Sequence, residues 1–219
     1  MTNLYQQLTI PPPPDLPSPG RVYDTRLVSQ NNRSLLTYFT KITNLFASVF
    51  GPRGGQYINA PYGAFDDTTD QTATANTATA MTFNTTDFSN GVKVVTSGGL
   101  ASRITVSQGG IYNFQWSGQF QNTDTQEHDI SVWIRINGTD VPGSTGLISV
   151  INSHGGIPGH TLVGWNYFLQ LGKDEYVELY WSTPNVAVSI QSYVADTSPT
   201  RPSTASLIAT VSFVSNLSA

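Results

Sequence analysis

The chain has 219 residues, with ten Lys plus Arg against fourteen Asp plus Glu, for a formal net charge of −4. That length suits one substantial domain with an extension. The acidic balance, with no run of Lys or Arg, lacks the clustered positive patch that nucleic-acid binding requires. Hydrophobic residues make up 38%, including 10 Phe, 10 Tyr and 4 Trp, which is enough to bury a core. Charged residues make up only 11%, against about 25% in an average globular chain. The surface is therefore left to Ser, Thr, Asn, Gln and Gly, a composition suited to a protein largely covered by neighbours or facing the outside of a particle. There is no cysteine, which removes disulfides and thiolate metal sites and leaves packing or oligomerisation to supply robustness. Residues 1–10, MTNLYQQLTI, have neither a basic nor an apolar signal region. No stretch approaches the roughly 18 apolar residues of a membrane span. The expectation is a soluble protein made in the cytoplasm, with no membrane partner and no use of the general secretory route.

Residues 1–23 read as an extended arm. Pro11, Pro12, Pro13 and Pro14, followed by Pro17 and Pro19, favour a polyproline II rod, which has no internal hydrogen bonds. Such a rod needs another surface to order it, and the expectation is that it anchors on another chain.

Residues 24–55 read as a helix and a linker. Asp24 and Thr25 are good capping residues, and Gly51-Pro52 is a good stop. Between them Val28, Asn32, Leu35, Phe39, Ile42, Phe46 and Val49 recur at alternating spacings of four and three, and Leu36, Leu45 and Phe50 widen the stripe. The pattern fits a short heptad seam between helices, with Asn32 fixing its register, or an amphipathic helix folded onto its own domain. Both readings stay open, and either way the helix needs a partner surface. GPRGG, 51–55, then uncouples the helix from the remainder of the chain.

Residues 56–219 read as all-β. The expected strands are Val92–Val95, Arg103–Val106, Ile111–Phe120, Ile130–Ile136, Leu162–Leu171, Tyr176–Ser182, Val186–Gln191 and Leu207–Val214, punctuated by turn signals such as Gln108-Gly109-Gly110, Asn137-Gly138 and Thr183-Pro184-Asn185. The low-complexity segment Asp66–Met81 reads as loop or irregular edge strand. The architecture predicted is an antiparallel jelly-roll sandwich preceded by a proline-rich extended arm and one short α-helix.

Three motifs carry a family resemblance over roughly residues 80–215. Gly110-Ile111-Tyr112-Asn113-Phe114 is a glycine turn followed by Tyr112 and Phe114 on one face. Val132-Trp133-Ile134-Arg135-Ile136 ends in an Asn-Gly turn, whose residues tolerate positive φ. Leu171-Gly172-Lys173-Asp174-Glu175-Tyr176 leads into a further strand. In order and spacing these resemble the globular-head domain of the complement and tumour-necrosis-factor superfamily, in the form found in phage virion proteins. Lys173 and Glu175 are insertions relative to that pattern, and Ser206–Val214 sits where the family's last core strand closes the sandwich. The resemblance implies a compact homotrimer. A proline-rich arm followed by a helix is similar to the start of small tailed-phage virion proteins. Tyr112, Phe114, Trp116, Trp133, Phe168 and Trp181 are then expected in the core or the trimer seam, with Ile134, Leu179 and Phe213 also buried. Trp133 and Ile134 are neighbours, so only one of them faces inward.

Little points to catalysis. His128, His154 and His160 match no zinc spacing, and His154–His160 is a glycine-rich loop better suited to loop hydrogen bonding. Asp66, Asp67 and Asp70 lack the EF-hand spacing for calcium and read as a solvated acidic turn. Asp174, Glu175 and Glu178 read as a solvated hairpin rather than a glycosidase pair. No nucleophile elbow, phosphate loop or dinucleotide fingerprint is present, so neither enzyme activity nor a cofactor is expected. The sequons at Asn32, Asn84, Asn137 and Asn216 fit chance in so Asn-, Ser- and Thr-rich a chain. Trp116, Trp133, Trp165 and Trp181 fall in strands, where core packing competes with stacking on sugars.

Three functions compete. The first is a non-enzymatic virion protein, a capsid decoration (cement) or head-fibre trimer tethered to the major capsid protein or other virion proteins through residues 1–50. The second is a tail appendage or receptor-binding tip engaging host glycans. The third, a cellular carbohydrate-binding or cytokine-like module, is disfavoured by the arm.

Overall fold

The computed structural model describes residues 11–18, 22–50 and 60–216, with backbone alone at 48–50. They fall into two compact units that divide between Asn59 and Ala60. Pro19 and the linker Gly51–Gly55 lie outside the described residues, as does the side chain of Val49.

The first unit holds helix α1, Thr25–Phe50. Asp24 caps it: the Arg26 backbone N–H donates to Asp24 Oδ1 at 2.8 Å, and the Val28 N–H closes the first turn on the Asp24 carbonyl at 3.1 Å. An N-cap carboxylate satisfies a donor that has no partner within the helix and favours its positive end. Asp24→Ala should therefore cost about 1 kcal/mol, read as roughly fivefold faster amide exchange in the first turns.

Pro11 and Pro14 are half-buried while Pro12 and Pro13 are exposed, as expected for one edge of a rod with about three residues per turn. These four prolines line a groove with Arg33, Ser34, Thr37, Tyr38 and Lys41. The four prolines thus lie along the helix of their own chain, where the sequence had suggested that the rod lies on another chain. Long Arg and Lys stems beside a Tyr ring offer proline a flat, partly apolar bed. The helix is least exposed at Leu27, Asn31, Ser34, Leu35, Tyr38, Ile42 and Leu45, a stripe turned from the expected seam. Of that seam Leu35 and Ile42 are half-buried, while Val28, Asn32, Phe39 and Phe46 are exposed, Phe39 at 58%.

The second unit is a sandwich of short antiparallel strands. Its first half runs β1 (Tyr62–Asp67), β2 (Gln71–Thr72), β3 (Thr79–Ala80), β4 (Thr85–Asn90), β5 (Val92–Ser97), β6 (Leu100–Val106), β7 (Gly110–Asn122) and β8 (His128–Ile136). Then come β9 (Thr139–Asp140), β10 (Gly146–Val150), β11 (Gly159–Leu171), β12 (Tyr176–Ser182), β13 (Val188–Ile190), β14 (Asp196–Thr197), β15 (Thr200–Arg201) and β16 (Leu207–Ser215). One sheet has the order β2-β13-β7-β16-β1-β4, with β11 paired to β7 along its whole length. The other has the order β10-β8-β12-β6-β5, with β3 beside β12 and β9 beside β8. From β6 to β8 and from β10 to β13 the chain crosses between sheets at every connection, the interleaving of a jelly roll. The small β14–β15 hairpin stands as a separate two-stranded sheet.

Period-two alternation drives the core. On β7, Tyr112, Phe114, Trp116 and Phe120 are buried, and they meet Ile130, Val132 and Ile134 of β8 with Leu179 and Trp181 of β12. Phe120 and Trp181 sit edge to face at 5.8 Å between ring centres. Phe213 is half-buried, its ring edge-on to Tyr112 at 5.6 Å. Asn137 and Gly138 carry φ of 50° and 80° in the β8–β9 turn, as the Asn-Gly signal predicted. The Asp66–Met81 segment supplies the end of β1 and the two-residue strands β2 and β3. Strands β1, β4 and β10 were not read from the sequence.

Phe168 corrects the expectation of burial: it is 66% exposed. Its register partner is Asn113, which alternates outward on β7, and the inward places on β11 go to Tyr167 and Leu169, opposite Phe114 and Tyr112. Ile134 is buried and Trp133, its neighbour, stands half-buried on the outer face.

Candidate functional site

The titratable residues singled out by sequence serve the scaffold. His128 Nε2 and Asp124 Oδ2 lie 2.8 Å apart, and the Asn185 amide donates to the same Asp124 oxygen at 2.9 Å. This ties the turn after β7 to the loop after β12. The hydrogen bond to His128, joined by the Thr125 backbone, holds the Asp124 carboxyl below the usual carboxylate range. His154 forms a tight turn with Ile157 through paired backbone hydrogen bonds, and His160 Nδ1 meets the Tyr193 hydroxyl at 3.0 Å.

The acidic groups are only partly the solvated turns expected: Asp70 and Asp174 are exposed, while Asp67 and Glu178 are buried. Asp67 is buried and accepts from the Thr69 N–H and the Thr82 hydroxyl. Asp70 instead holds the Ser192 N–H at 2.8 Å. These carboxylates are spent on separate loops, and among the described residues no three His, Asp or Glu side chains gather as a metal would require. Glu178 is 5% exposed: the Ser102 hydroxyl donates to its Oε1 at 2.7 Å, and Arg103 Nε stands 3.6 Å from it. Strand β6 closes over it, which alternation along β12 alone did not reveal. Glu175 folds back to accept the Gly172 N–H at 2.6 Å.

The two outer faces of the sandwich differ in chemistry. On the first sheet the outward positions of β7 are Ile111, Asn113, Gln115, Ser117, Gln119 and Gln121 between the buried alternates. Register puts His160, Leu162, Asn166, Phe168 and Gln170 beside them on β11, and Ile208, Thr210 and Ser212 on β16. Across these three adjacent strands no outward residue is an Asp, Glu, Lys or Arg. Leu162 and Phe168 are both 66% exposed.

The outer face of the second sheet is aromatic and charged. Cross-strand register pairs Ser131 with Ser182, Trp133 with Tyr180 and Arg135 with Glu178. The Trp133 and Tyr180 rings lie 5.9 Å apart, tilted by 34°, and the Arg135 guanidinium sits 3.9 Å over Tyr180. The Trp133 indole N–H donates to Asp140 Oδ1 at 2.6 Å, and Arg135 Nε donates to the same oxygen. Those hydrogen bonds, Arg135 first and Trp133 second, hold the Asp140 carboxyl below its ordinary range. Beside them Ser131, Trp133, Asp140, Pro142, Thr145 and Ser182 line an open groove of about 400 Å³.

Of the residues expected in the core or trimer seam, Tyr112, Phe114, Trp116 and Trp181 are in the core, while Trp133 and Phe168 face outward on opposite sheets. Asp140 and Tyr180 were not singled out by the sequence. The two-residue Asn137-Gly138 turn held the signal, because it folds Asp140 back beside Arg135. Among the described residues no helix is long and apolar enough to cross a membrane. A comparison with protein-family models finds no match, and one with curated proteins finds none either.

Proposed function

We propose that the chain is a non-enzymatic structural protein of a virus particle. It acts as a homotrimer of jelly rolls, tethered through the arm and helix α1 to the major capsid protein or other virion proteins, as a capsid decoration or head fibre. The observation that carries this reading is the charge-free outer face of β7, β11 and β16, with Leu162, Phe168 and Ile208 exposed on it. Interface centres are depleted of charge and enriched in aromatic residues, and amides exposed there find partners in the opposing copy. A closed ring of identical subunits uses such a face without leaving a copy of it open. Threefold closure draws on the family resemblance of Gly110–Phe114 and Val132–Gly138. The arm and the exposed Val28, Leu36 and Phe39 on α1 supply a second apolar surface for the particle.

The full chain should sediment at three times the 23.7 kDa of one subunit. Removing residues 1–23 should leave a trimer that no longer joins particles. A monomer at micromolar concentration, or full incorporation without the arm, overturns the corresponding half of the reading. The aromatic groove on the second sheet favours the alternative of a tail appendage or receptor-binding tip. Copy number separates the two: hundreds per particle mean decoration, a few dozen mean tail.

A further inference from the structure

We propose that the groove between Trp133 and the loop 141–145 is a carbohydrate site that takes one neutral hexopyranose unit. Four features of the groove point to this class of ligand. The first is a fixed aromatic plate. Trp133 is backed by Tyr180, and its indole N–H is committed to Asp140, so the ring is oriented before any ligand arrives and little ordering is lost on binding. A pyranose has one face of C–H groups and a rim of hydroxyls, which an aromatic plate with polar neighbours complements.

The second feature is a charged acceptor at the plate's edge. Both N–H donors converge on Asp140 Oδ1, which leaves the second carboxylate oxygen to accept from sugar hydroxyls. Hydrogen bonds to a carboxylate are about twice as strong as neutral ones. The third is a set of hydroxyls, Ser131, Ser182 and Thr145, which line the same groove and both donate and accept. The fourth is volume: about 400 Å³ lies at the small end of the range for ligand pockets, right for one ring with its neighbours in solvent.

The choice of a neutral sugar follows from charge. Asp140 remains ionised, and the nearest cation, Arg135, is already engaged by Asp140 and by the Tyr180 face. A sialylated or sulfated unit would meet a carboxylate with no free cation to offset it. The site belongs to a single subunit on the sheet opposite the proposed trimer face, so it does not depend on assembly. A trimer that binds no sugar, or a monomer that does, would separate the two readings.

The test uses the full chain with labelled indole nitrogens, titrated with methyl glycosides of glucose, galactose and mannose, their short oligomers, and the methyl glycoside of sialic acid. The Trp133 indole N–H signal should move and saturate in the millimolar range with at least one neutral sugar, and the sialic acid glycoside should bind at least tenfold more weakly. Trp133→Ala should weaken binding at least tenfold, and Asp140→Asn, which keeps the shape and removes the charge, about fivefold. Val194→Ala, on the loop beside the β14–β15 hairpin, should leave binding unchanged. The proposal is overturned if no neutral sugar moves the Trp133 signal, if binding survives both groove variants in folded protein, or if the sialylated ligand binds best.

Discussion

Introducing aspartate at both Leu162 and Phe168 should convert the proposed trimer to a monomer with its fold intact. Each side chain is 66% exposed on the isolated sandwich, so the substitutions remove no core packing and the β-sheet circular dichroism should not change. In the proposed assembly the same positions lie on the charge-free face of β7, β11 and β16. Burying a carboxylate there without a cation costs several kcal/mol per ion after relaxation, and every copy would carry two. That exceeds what a modest interface gains from area alone. Sedimentation equilibrium should give one 23.7 kDa subunit where the proposal expects three for the parent. Aspartate at Leu147, 78% exposed on β10 of the other sheet, serves as the control and should leave the trimer unchanged. If the double variant still sediments as a trimer, the copies meet through another surface.

Trp181→Ala should be the most damaging single truncation in the sandwich. Trp181 is fully buried, faces the ring of Phe120, and sits on β12 between β8 and β3. Truncating a buried Trp or Phe to Ala typically costs about 3–5 kcal/mol, because the cavity adds to the lost transfer energy. Domains of this size are stable by only about 5–15 kcal/mol, so the urea midpoint should fall by about a fifth or more. Trp181→Phe should cost less than half as much. It keeps an aromatic ring against Phe120, and it removes an indole N–H that is buried without a hydrogen-bond partner, a group that itself carries a desolvation penalty. Equal losses for the two variants would mean that the cavity does not dominate.

The contrast between β7 and β11 shows what the sequence made legible. β7 alternates strictly, with Tyr112, Phe114, Trp116, Gly118 and Phe120 inward and polar residues between, so its inner face could be read directly. β11 carries apolar residues on both parities: Val163, Tyr167 and Leu169 inward, Leu162 and Phe168 outward. Its sequence alone cannot say which parity faces the core. Only the register with β7 decides, and that is a contact between distant segments. β1 and β4 were missed because YGAFDD and TTDFSN are too polar and too short to show a period. Asp67 and Glu178 were misjudged for a related reason: the groups that cover them come from Thr82 and from Ser102 and Arg103, far along the chain. The candidate sugar site was half legible. Trp133 was noted as one of several strand tryptophans, but its partners Tyr180 and Asp140 emerge only from strand pairing.

The placement of β16 sets the order in which this protein can be made. β16 lies between β7 and β1, pairing Leu207 with both Gly118 and Asp67. At about 5–20 residues per second, a ribosome needs roughly four to seventeen seconds to pass from Asn122 to Leu207. During that interval β1 and β7 each present a bare edge of unpaired N–H and C=O groups, the template on which strands from other nascent chains could add. Closure through such distant contacts is also intrinsically slow, in the millisecond-to-second range once all strands are present. Growth temperature and expression rate should therefore govern the soluble yield more than the final stability of the sandwich does.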